Sequence, residues 1–255
     1  MERDIFDVRG LHIVVTGGAS GIGLGATREL AGRGALIEIW DVRQEPLAAA
    51  LDGPLREWSS QIATRVVDVS DDVAVEAAAE AAWQRAPVDV LINCAGITSH
   101  RRPVLEIPLE DWQRMLGVNL YGTLHTCRAL GRRMIDRGQG SIINVSSVDA
   151  VDPSWGNLHY GVSKAGVAML TTGLGREWGT TGVRVNAVGP GPVRTPLTEP
   201  LFEKHDWLEP KWVESVPLGR IGEPDDLAGI FVYLASPASK WVTGRSFYID
   251  GGWLL

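Results

Sequence analysis

The chain has 255 residues, 45% hydrophobic and 22% charged, the balance of an ordinary soluble globular protein with length enough for a substantial core. Its net charge of −7, without any basic block, argues against nucleic acid and against an anionic membrane surface, and no apolar run approaches the ~18 residues of a membrane helix. Residues 1–7 alternate charge and lack a signal-peptide core, and two cysteines, Cys94 and Cys127, are too few for a disulfide framework or a zinc site, so a cytoplasmic chain without a metal is expected.

The apolar run 11–15 predicts a strand, followed by the glycine turn 16–23 and a helical pattern through residue 32. Strand, glycine turn and helix form the layout of a dinucleotide-binding first unit, in which the helix N-terminus offers free N–H groups to a pyrophosphate. The spacing is G-x-x-x-G-x-G, which by itself is a weak signal. A second strand, 35–41, ends in Asp41, eighteen residues after Gly23, where an acid can accept hydrogen bonds from ribose hydroxyls and would repel a 2′-phosphate.

Further along, 46–58 reads as a helix, 62–67 as a strand closing at Asp68 and Val69, 71–85 as an Ala-rich helix and 88–92 as a fourth strand. A long helix is expected over 109–137; Asn119 lies inside it and, as a poor helix former, belongs on a wet face. Strands follow at 141–145, 183–188 and 246–249, and helices at 160–178 and 224–235. Residues 195–216 read as irregular. Seven strands alternating with helices and no linker predict one α/β domain over 1–255, a doubly wound Rossmann-type parallel sheet with helices on both faces.

The stretch 147–164 carries the chemistry. Tyr160 and Lys164 are four apart and share one helix face, and Ser147 stands thirteen residues before Tyr160 at the end of a strand. A phenol ionises near pH 10, too high for a base at neutrality, and a neighbouring ammonium would be expected to bring it down. With four Tyr and four Lys in the chain the pair alone is weak; its force comes from the other motifs.

T-G-G-A-S-G-I-G at 16–23, N-C-A-G at 93–96, Asn119, the serines at 146–147, Y-G-V-S-K at 160–164 and P-G at 190–191 together resemble the short-chain dehydrogenase/reductase family over residues 11–252. The resemblance implies an NAD(P)-dependent oxidoreductase acting on a small-molecule alcohol or ketone. It implies Tyr160 as acid–base group, Ser147 as the positioner of the reacting oxygen, and Lys164 as partner of Tyr160 and of the nicotinamide ribose. Asn119 would keep a helix open for a water behind Lys164. Gly17, Ser20, Gly21, Ile22 and Gly23 would line the pyrophosphate, Asp68 and Val69 the adenine edge, and Asn93, Ala95 and Gly96 the adenosine. Pro190, Gly191, Val193 and Thr195 would meet the carboxamide, and Ser146 would be structural. Cys94 stands where the family usually has a second Asn, and Pro192 where many relatives carry an aromatic residue. A homotetramer is implied, with the helices at 109–137 and 160–178 packing against their mates.

Rivals are a methyltransferase of similar fold, which has no use for the Ser147/Tyr160/Lys164 set, and a silent dinucleotide-sensing scaffold, which usually loses Tyr or Lys. Within the family, the runner-up is a 3-oxoacyl thioester reductase; such relatives generally use the phosphorylated cofactor and often carry Arg or Lys where this chain has Ser20. Ser20 and Asp41 therefore favour NAD, with Arg43 as the one opposing residue. For the substrate, the segments around the expected pocket supply His100, Arg101 and Arg102; Asp149, Asp152, Ser154, Trp155, Asn157 and His159; and Thr198, Glu199, Glu203, Lys204, His205 and Asp206. Trp207 and Trp212 fall in the last segment, whereas Trp58, Trp83 and Trp178 have the spacing of packing residues. A steroid or long acyl chain needs an apolar lining, because buried polar groups left unpaired cost about 1–3 kcal/mol each. This set points instead to a small polar secondary alcohol, a polyol or sugar derivative, oxidised to the ketone or lactone, with 195–216 as a variable lid.

Overall fold

Seven apolar runs form strands β1 (His12–Thr16), β2 (Leu36–Asp41), β3 (Ile62–Val66), β4 (Val90–Asn93), β5 (Gly140–Val145), β6 (Val183–Pro190) and β7 (Ser246–Ile249). The central strands β1, β4 and β5 are buried along their whole length, and only the edge strands β3 and β7 are mostly half-buried. Continuous hydrophobic strands of this kind suit a parallel sheet covered on both sides. In the computed structural model, which describes residues 4–255, they pair in the order β3-β2-β1-β4-β5-β6-β7, every neighbour parallel. Residues 1–3, part of the alternating-charge N-terminus, lie outside the described residues.

The helices divide between the two faces. Against one lie α1 (Gly21–Gly32), α2 (Gln44–Asp52) and α9 (Ala228–Ala235), burying Leu30, Leu47 and Phe231 with Ile37 and Ile39. Against the other lie α3 (Asp72–Arg85), α5 (Gly122–Arg137) and α6 (Leu158–Trp178), burying Ala79, Leu130 and Leu174 with Leu91 and Ile142. Each such fully buried large aliphatic or aromatic side chain contributes roughly 1.5–3 kcal/mol. Trp58 packs on the first core layer, and Trp83 and Trp178 on the second. The strand order runs outward in both directions from the β1/β4 pair, and that switch point opens a crevice at the carboxyl ends of the strands. No helix among the described residues is long and apolar enough to cross a membrane.

Five elements differ from the sequence reading; one is the helix expected over 224–235, whose first turn, Pro224–Leu227, is 3-10 and whose α-helical part is α9. The helix expected over 46–58 stops at Asp52, because Gly53 and Pro54 follow, and resumes as a 3-10 segment, Arg56–Gln61. The long helix over 109–137 is two helices, α4 (Leu109–Leu116) and α5, joined by a π turn, Gly117–Tyr121, in which the Gly122 N–H reaches the Gly117 carbonyl. The helix carrying Tyr160 starts two residues earlier, at Leu158. The segment 195–216 is not irregular but holds α7 (Glu199–Lys204) and α8 (Leu208–Ser215) over a small core of Phe202, Leu208 and Ile221.

Candidate active site

The crevice is one cavity of about 750 Å³ lined from the carboxyl ends of β1, β2, β4, β5 and β6. At one end stand Gly17, Ser20, Gly21 and Ile22; beside them Asp41, Val42 and Arg43, then Asp68, Val69, Ala95 and Gly96. Pro190, Gly191, Pro192, Val193 and Thr195 close the far wall. Gly17 has φ +64, and a Cβ there would stand 2.8 Å from the Ala95 Cα, so no side chain fits between turn and wall. Ser20, the N-cap of α1, makes no side-chain cap bond, which leaves the first N–H groups of the helix free for an anion. A close glycine turn, an uncapped helix N-terminus and an acid at the end of β2 fit a dinucleotide.

Gly23 is part of that turn without lining the cavity, since a Cβ on it would collide with the Gly17 carbonyl. Gly23→Ala is therefore expected to cost about 1–3 kcal/mol of stability as an overpacked backbone contact. Dinucleotide affinity should fall at least tenfold with it. Thermal unfolding together with a fluorescence titration checks this; an unchanged affinity would mean that the turn can widen freely.

Asn93 also stays out of the cavity. Its Nδ2 donates to Asn144 Oδ1 at 2.9 Å and its Oδ1 accepts from Thr126 Oγ1 at 2.7 Å, so its side chain is committed to the core between β4, β5 and α5 rather than to adenosine. Asn119 is not on a wet face either: it is fully buried. Its Oδ1 accepts the Ile97 N–H at 2.8 Å, while its Nδ2 donates to the Ile97 carbonyl and to Ser163 Oγ, both at 3.0 Å. The amide thus ties the π turn to the segment after β4 and to α6, which satisfies a polar residue that would otherwise be costly to bury.

Ser147, Tyr160 and Lys164 meet at the end of β5. Ser146 Oγ donates to the Lys164 carbonyl at 2.9 Å, which fastens α6 to the strand end and leaves Ser147 facing the cavity. Ser147 Oγ accepts the Asp149 N–H at 3.1 Å, and its hydroxyl acts on the Tyr160 phenol. Lys164 Nζ donates to the Val145 carbonyl at 2.9 Å and lies 5.7 Å from the centre of the Tyr160 ring. Burial lowers the Lys164 pKa from 10.5 to about 8. For Tyr160 the electrostatics correct the sequence expectation: burial, then the Asp149 charge and Cys94, raise the phenol above its ordinary 10, and the Ser147 hydroxyl only partly offsets them. Cys94, in the cavity wall, is pushed up to about 11 by burial, and Cys127 to about 12, so both are neutral thiols.

Beyond Tyr160 the cavity continues between Thr98, Arg101, Asp149, Ser154, Asn157, Leu201, Trp212 and Trp253. Of the polar candidates named from sequence, Arg101, Asp149, Ser154, Asn157 and Thr198 reach it. Trp155 and Trp207 are instead exposed, at 73% and 56%. His159 is buried behind the wall, with Nε2 2.6 Å from Ser99 Oγ and its ring against Trp112, and burial lowers its pKa. Glu199 pairs with Arg194, which also meets Glu209 and Glu223 and so clasps both lid helices. His100, Arg102, Asp152, Glu203, Lys204, His205 and Asp206 lie outside the lining. Sequence reasoning missed Trp253, brought in by a turn whose Asp250 carboxylate accepts the N–H groups of Gly252 and Leu254. The signal available for it was the Gly251-Gly252 pair after the last strand, at φ +65 and +93.

Comparison with known proteins agrees with this geometry. The family profile described as enoyl-(acyl carrier protein) reductase matches residues 17–254. Galactitol 2-dehydrogenase (L-tagatose-forming) of Cereibacter sphaeroides is 39% identical over 99% of this chain and 98% of its own. A 3-oxoacyl-(acyl carrier protein) reductase of Chlamydia pneumoniae is 35% identical over 95% and 96%. The crystal structure of a gluconate 5-dehydrogenase from Burkholderia cenocepacia J2315, in complex with NADP and tartrate, matches with a TM-score of 0.92 and 34% identity over 98% of both chains. The fold and the strand-end site define an oxidoreductase of the nicotinamide-dinucleotide type. The chain belongs to the short-chain dehydrogenase/reductase family.

Proposed function

We propose that the protein is an NAD-dependent dehydrogenase of small polyols or sugar derivatives, interconverting a secondary alcohol and its ketone. The observation that carries this reading is the polar set Thr98, Arg101, Asp149, Ser154 and Asn157 around the Ser147/Tyr160 corner. A long acyl chain would leave most donors of Arg101 and the second oxygen of Asp149 without a partner, whereas a hydroxylated substrate satisfies them. Galactitol 2-dehydrogenase among the relatives supports the same choice. The second reading, a 3-oxoacyl thioester reductase, is supported by the C. pneumoniae relative. Equal concentrations of polyols, sugars, hydroxy acids and 3-hydroxyacyl thioesters, followed by absorbance of the reduced nicotinamide, separate the two; higher specificity constants for the thioesters would overturn the first.

In the mechanism, the Tyr160 phenolate takes the carbinol proton at Oη as the alcohol is oxidised, and the phenol returns it in the reverse direction. Ser147 Oγ holds the same oxygen by hydrogen bonding, which fixes its distance from the phenol. Lys164 would hold the ribose hydroxyls next to the nicotinamide and place a cation behind Tyr160. When bound, the dinucleotide supplies the hydride acceptor and, oxidised, a positive ring charge that opposes the influence of Asp149 on the phenol. Asn119 would act through Ile97 and Ser163 by holding the π turn and α6 in register. Gly17, Ser20, Gly21 and Ile22 would cradle the pyrophosphate, Asp68, Val69, Ala95 and Gly96 the adenosine, and Pro190, Gly191, Val193 and Thr195 the carboxamide.

NAD preference rests on Asp41. Its carboxylate lines the cavity and would meet a 2′-phosphate as a like charge, at a cost on the order of 1–4 kcal/mol. NAD is therefore expected to exceed NADP at least tenfold in kcat/KM. Equal use of both would mean that the adjacent Arg43 takes the phosphate; the Burkholderia structure, with NADP, makes that comparison worth measuring. The chain would work as one cytoplasmic domain with 195–216 as lid. It would assemble as a homotetramer, for which exposed apolar side chains on the helices, such as Leu109, Tyr121 and Met169, offer contact surface; sedimentation measures the assembly.

A further inference from the structure

We infer that Asp149 selects neutral polyols: its carboxylate receives substrate hydroxyls next to the reacting carbon and, facing Arg101 across the cavity, disfavours substrates that carry a carboxylate. This rests on the polyol reading above and sharpens it.

Asp149 follows the positioning serine by two residues, and its own N–H donates to Ser147 Oγ at 3.1 Å. Asp149 also lines the same cavity as Ser147 and Tyr160, and its charge acts on the phenol, so the carboxylate stands near the point where the reacting oxygen is held, and a hydroxyl on the neighbouring carbon would come within its reach. Ser154 Oγ donates to Oδ1 at 2.9 Å, which orients the carboxylate. Among the described residues, Asp149 has no salt-bridge partner within 4.0 Å. Arg101 is close enough for each to feel the charge of the other, but its guanidinium sits 5.8 Å from the centre of the Trp212 ring, with one weak bond, 3.5 Å, to the Trp155 carbonyl.

An acid and a base that line one cavity without closing on each other leave a gap with a donor wall and an acceptor wall. A hydroxyl is the group that suits both: it donates to the carboxylate and accepts from the guanidinium, while the Trp212 face covers the carbon skeleton. A substrate carboxylate gains from Arg101 what it loses at Asp149, so the site gives it no net advantage over a neutral alditol and denies it the acceptor. An acyl chain would bury both charges with most of their hydrogen-bonding positions unfilled. Asp149 also raises the Tyr160 phenol, which works against oxidation.

The test is steady-state kinetics with NAD on the wild type, Asp149→Asn and Arg101→Gln, using threitol, galactitol and gluconate, with NAD affinity by fluorescence as the control for folding. The wild type is expected to favour the alditols over gluconate about tenfold or more. Asp149→Asn should lower kcat/KM for the alditols by about ten- to a hundredfold, chiefly through KM, and shift the gluconate-to-alditol ratio at least tenfold toward gluconate. Arg101→Gln should move that ratio severalfold the other way, and it answers the question if Asp149→Asn loses NAD binding. Equal losses on all three substrates in Asp149→Asn, or an unmoved ratio in Arg101→Gln, would overturn the inference while the polyol reading stands. A wild type that oxidises none of the three would overturn that reading, and the inference with it.

Discussion

Tyr160→Phe is expected to lower kcat between a hundred- and ten-thousandfold while NAD affinity stays within threefold of the wild type. The substitution removes one oxygen. The ring remains beside Lys164, and what is lost is the influence of Ser147 on the phenol oxygen. General acid–base groups contribute rate factors of this size, and neither Ser147 nor Lys164 can take over, since a serine hydroxyl is far too weakly acidic and Lys164 Nζ is turned to the Val145 carbonyl. Stability near neutrality should be almost unchanged, because the phenol is neutral there in both folded and unfolded chains. Above pH 10 the sign differs. The folded chain keeps the phenolic proton that the unfolded chain releases, so the wild type loses stability as pH rises through that range. Without the phenol this loss disappears, and alkaline unfolding should come later in the variant. Stopped-flow turnover and unfolding curves at pH 7 and above 10 measure both effects; a variant that keeps more than about a tenth of the wild-type rate would end the assignment of Tyr160.

The seven strands and the position of Ser147, Tyr160 and Lys164 were legible because they rest on local patterns. An apolar run bounded by glycine announces a buried parallel strand, and a four-residue spacing announces a shared helix face. What sequence did not reveal depends on partners far along the chain. Asn119 reads as solvated because near it in sequence only the weak acceptor Met115 Sδ meets its amide; the main partner is the Ile97 backbone, twenty-two residues away, brought alongside by the β4 strand end. The lid helices have no strong periodicity. They are held by the Phe202/Leu208/Ile221 cluster and by one guanidinium, Arg194, that meets three glutamates from three segments. For the phenol, the sequence displays the neighbouring ammonium but neither the depth of burial nor the Asp149 carboxylate, and those two decide the direction. Trp253 entered the cavity for a comparable reason: a turn fixed by Asp250 redirects the end of the chain.

Lys164→Met is expected to separate stability from turnover. The lysine is buried, its ammonium has one hydrogen bond, to the Val145 carbonyl, and its pKa falls from 10.5 to about 8. Between those two pH values the unfolded chain holds a proton that the folded chain has released, so stability rises with pH across that window and is flat below it. At pH 7 the folded protein carries the whole cost of the buried charge, about 3 kcal/mol for a difference of that size. Met has nearly the length of Lys and no charge. Against the relief stands the lost charge-assisted bond to Val145, about 1.5–3 kcal/mol. The balance is a gain of about 0–1.5 kcal/mol, or up to roughly 5 °C in Tm for a chain of this size. Turnover should fall at least a hundredfold and NAD affinity with it, since Lys164 is assigned both a cation behind Tyr160 and the ribose hydroxyls. The rise of wild-type stability between pH 8 and 10.5 should also flatten in the variant, which separates removal of a buried charge from a change in packing. Calorimetry without dinucleotide at about pH 7 and 9.5, beside a fluorescence titration with NAD, reads each part. A variant less stable than the wild type at pH 7 would mean that the Val145 bond outweighs the burial of the charge. A more stable, inactive one would identify Lys164 as a residue that function retains against the stability of the fold.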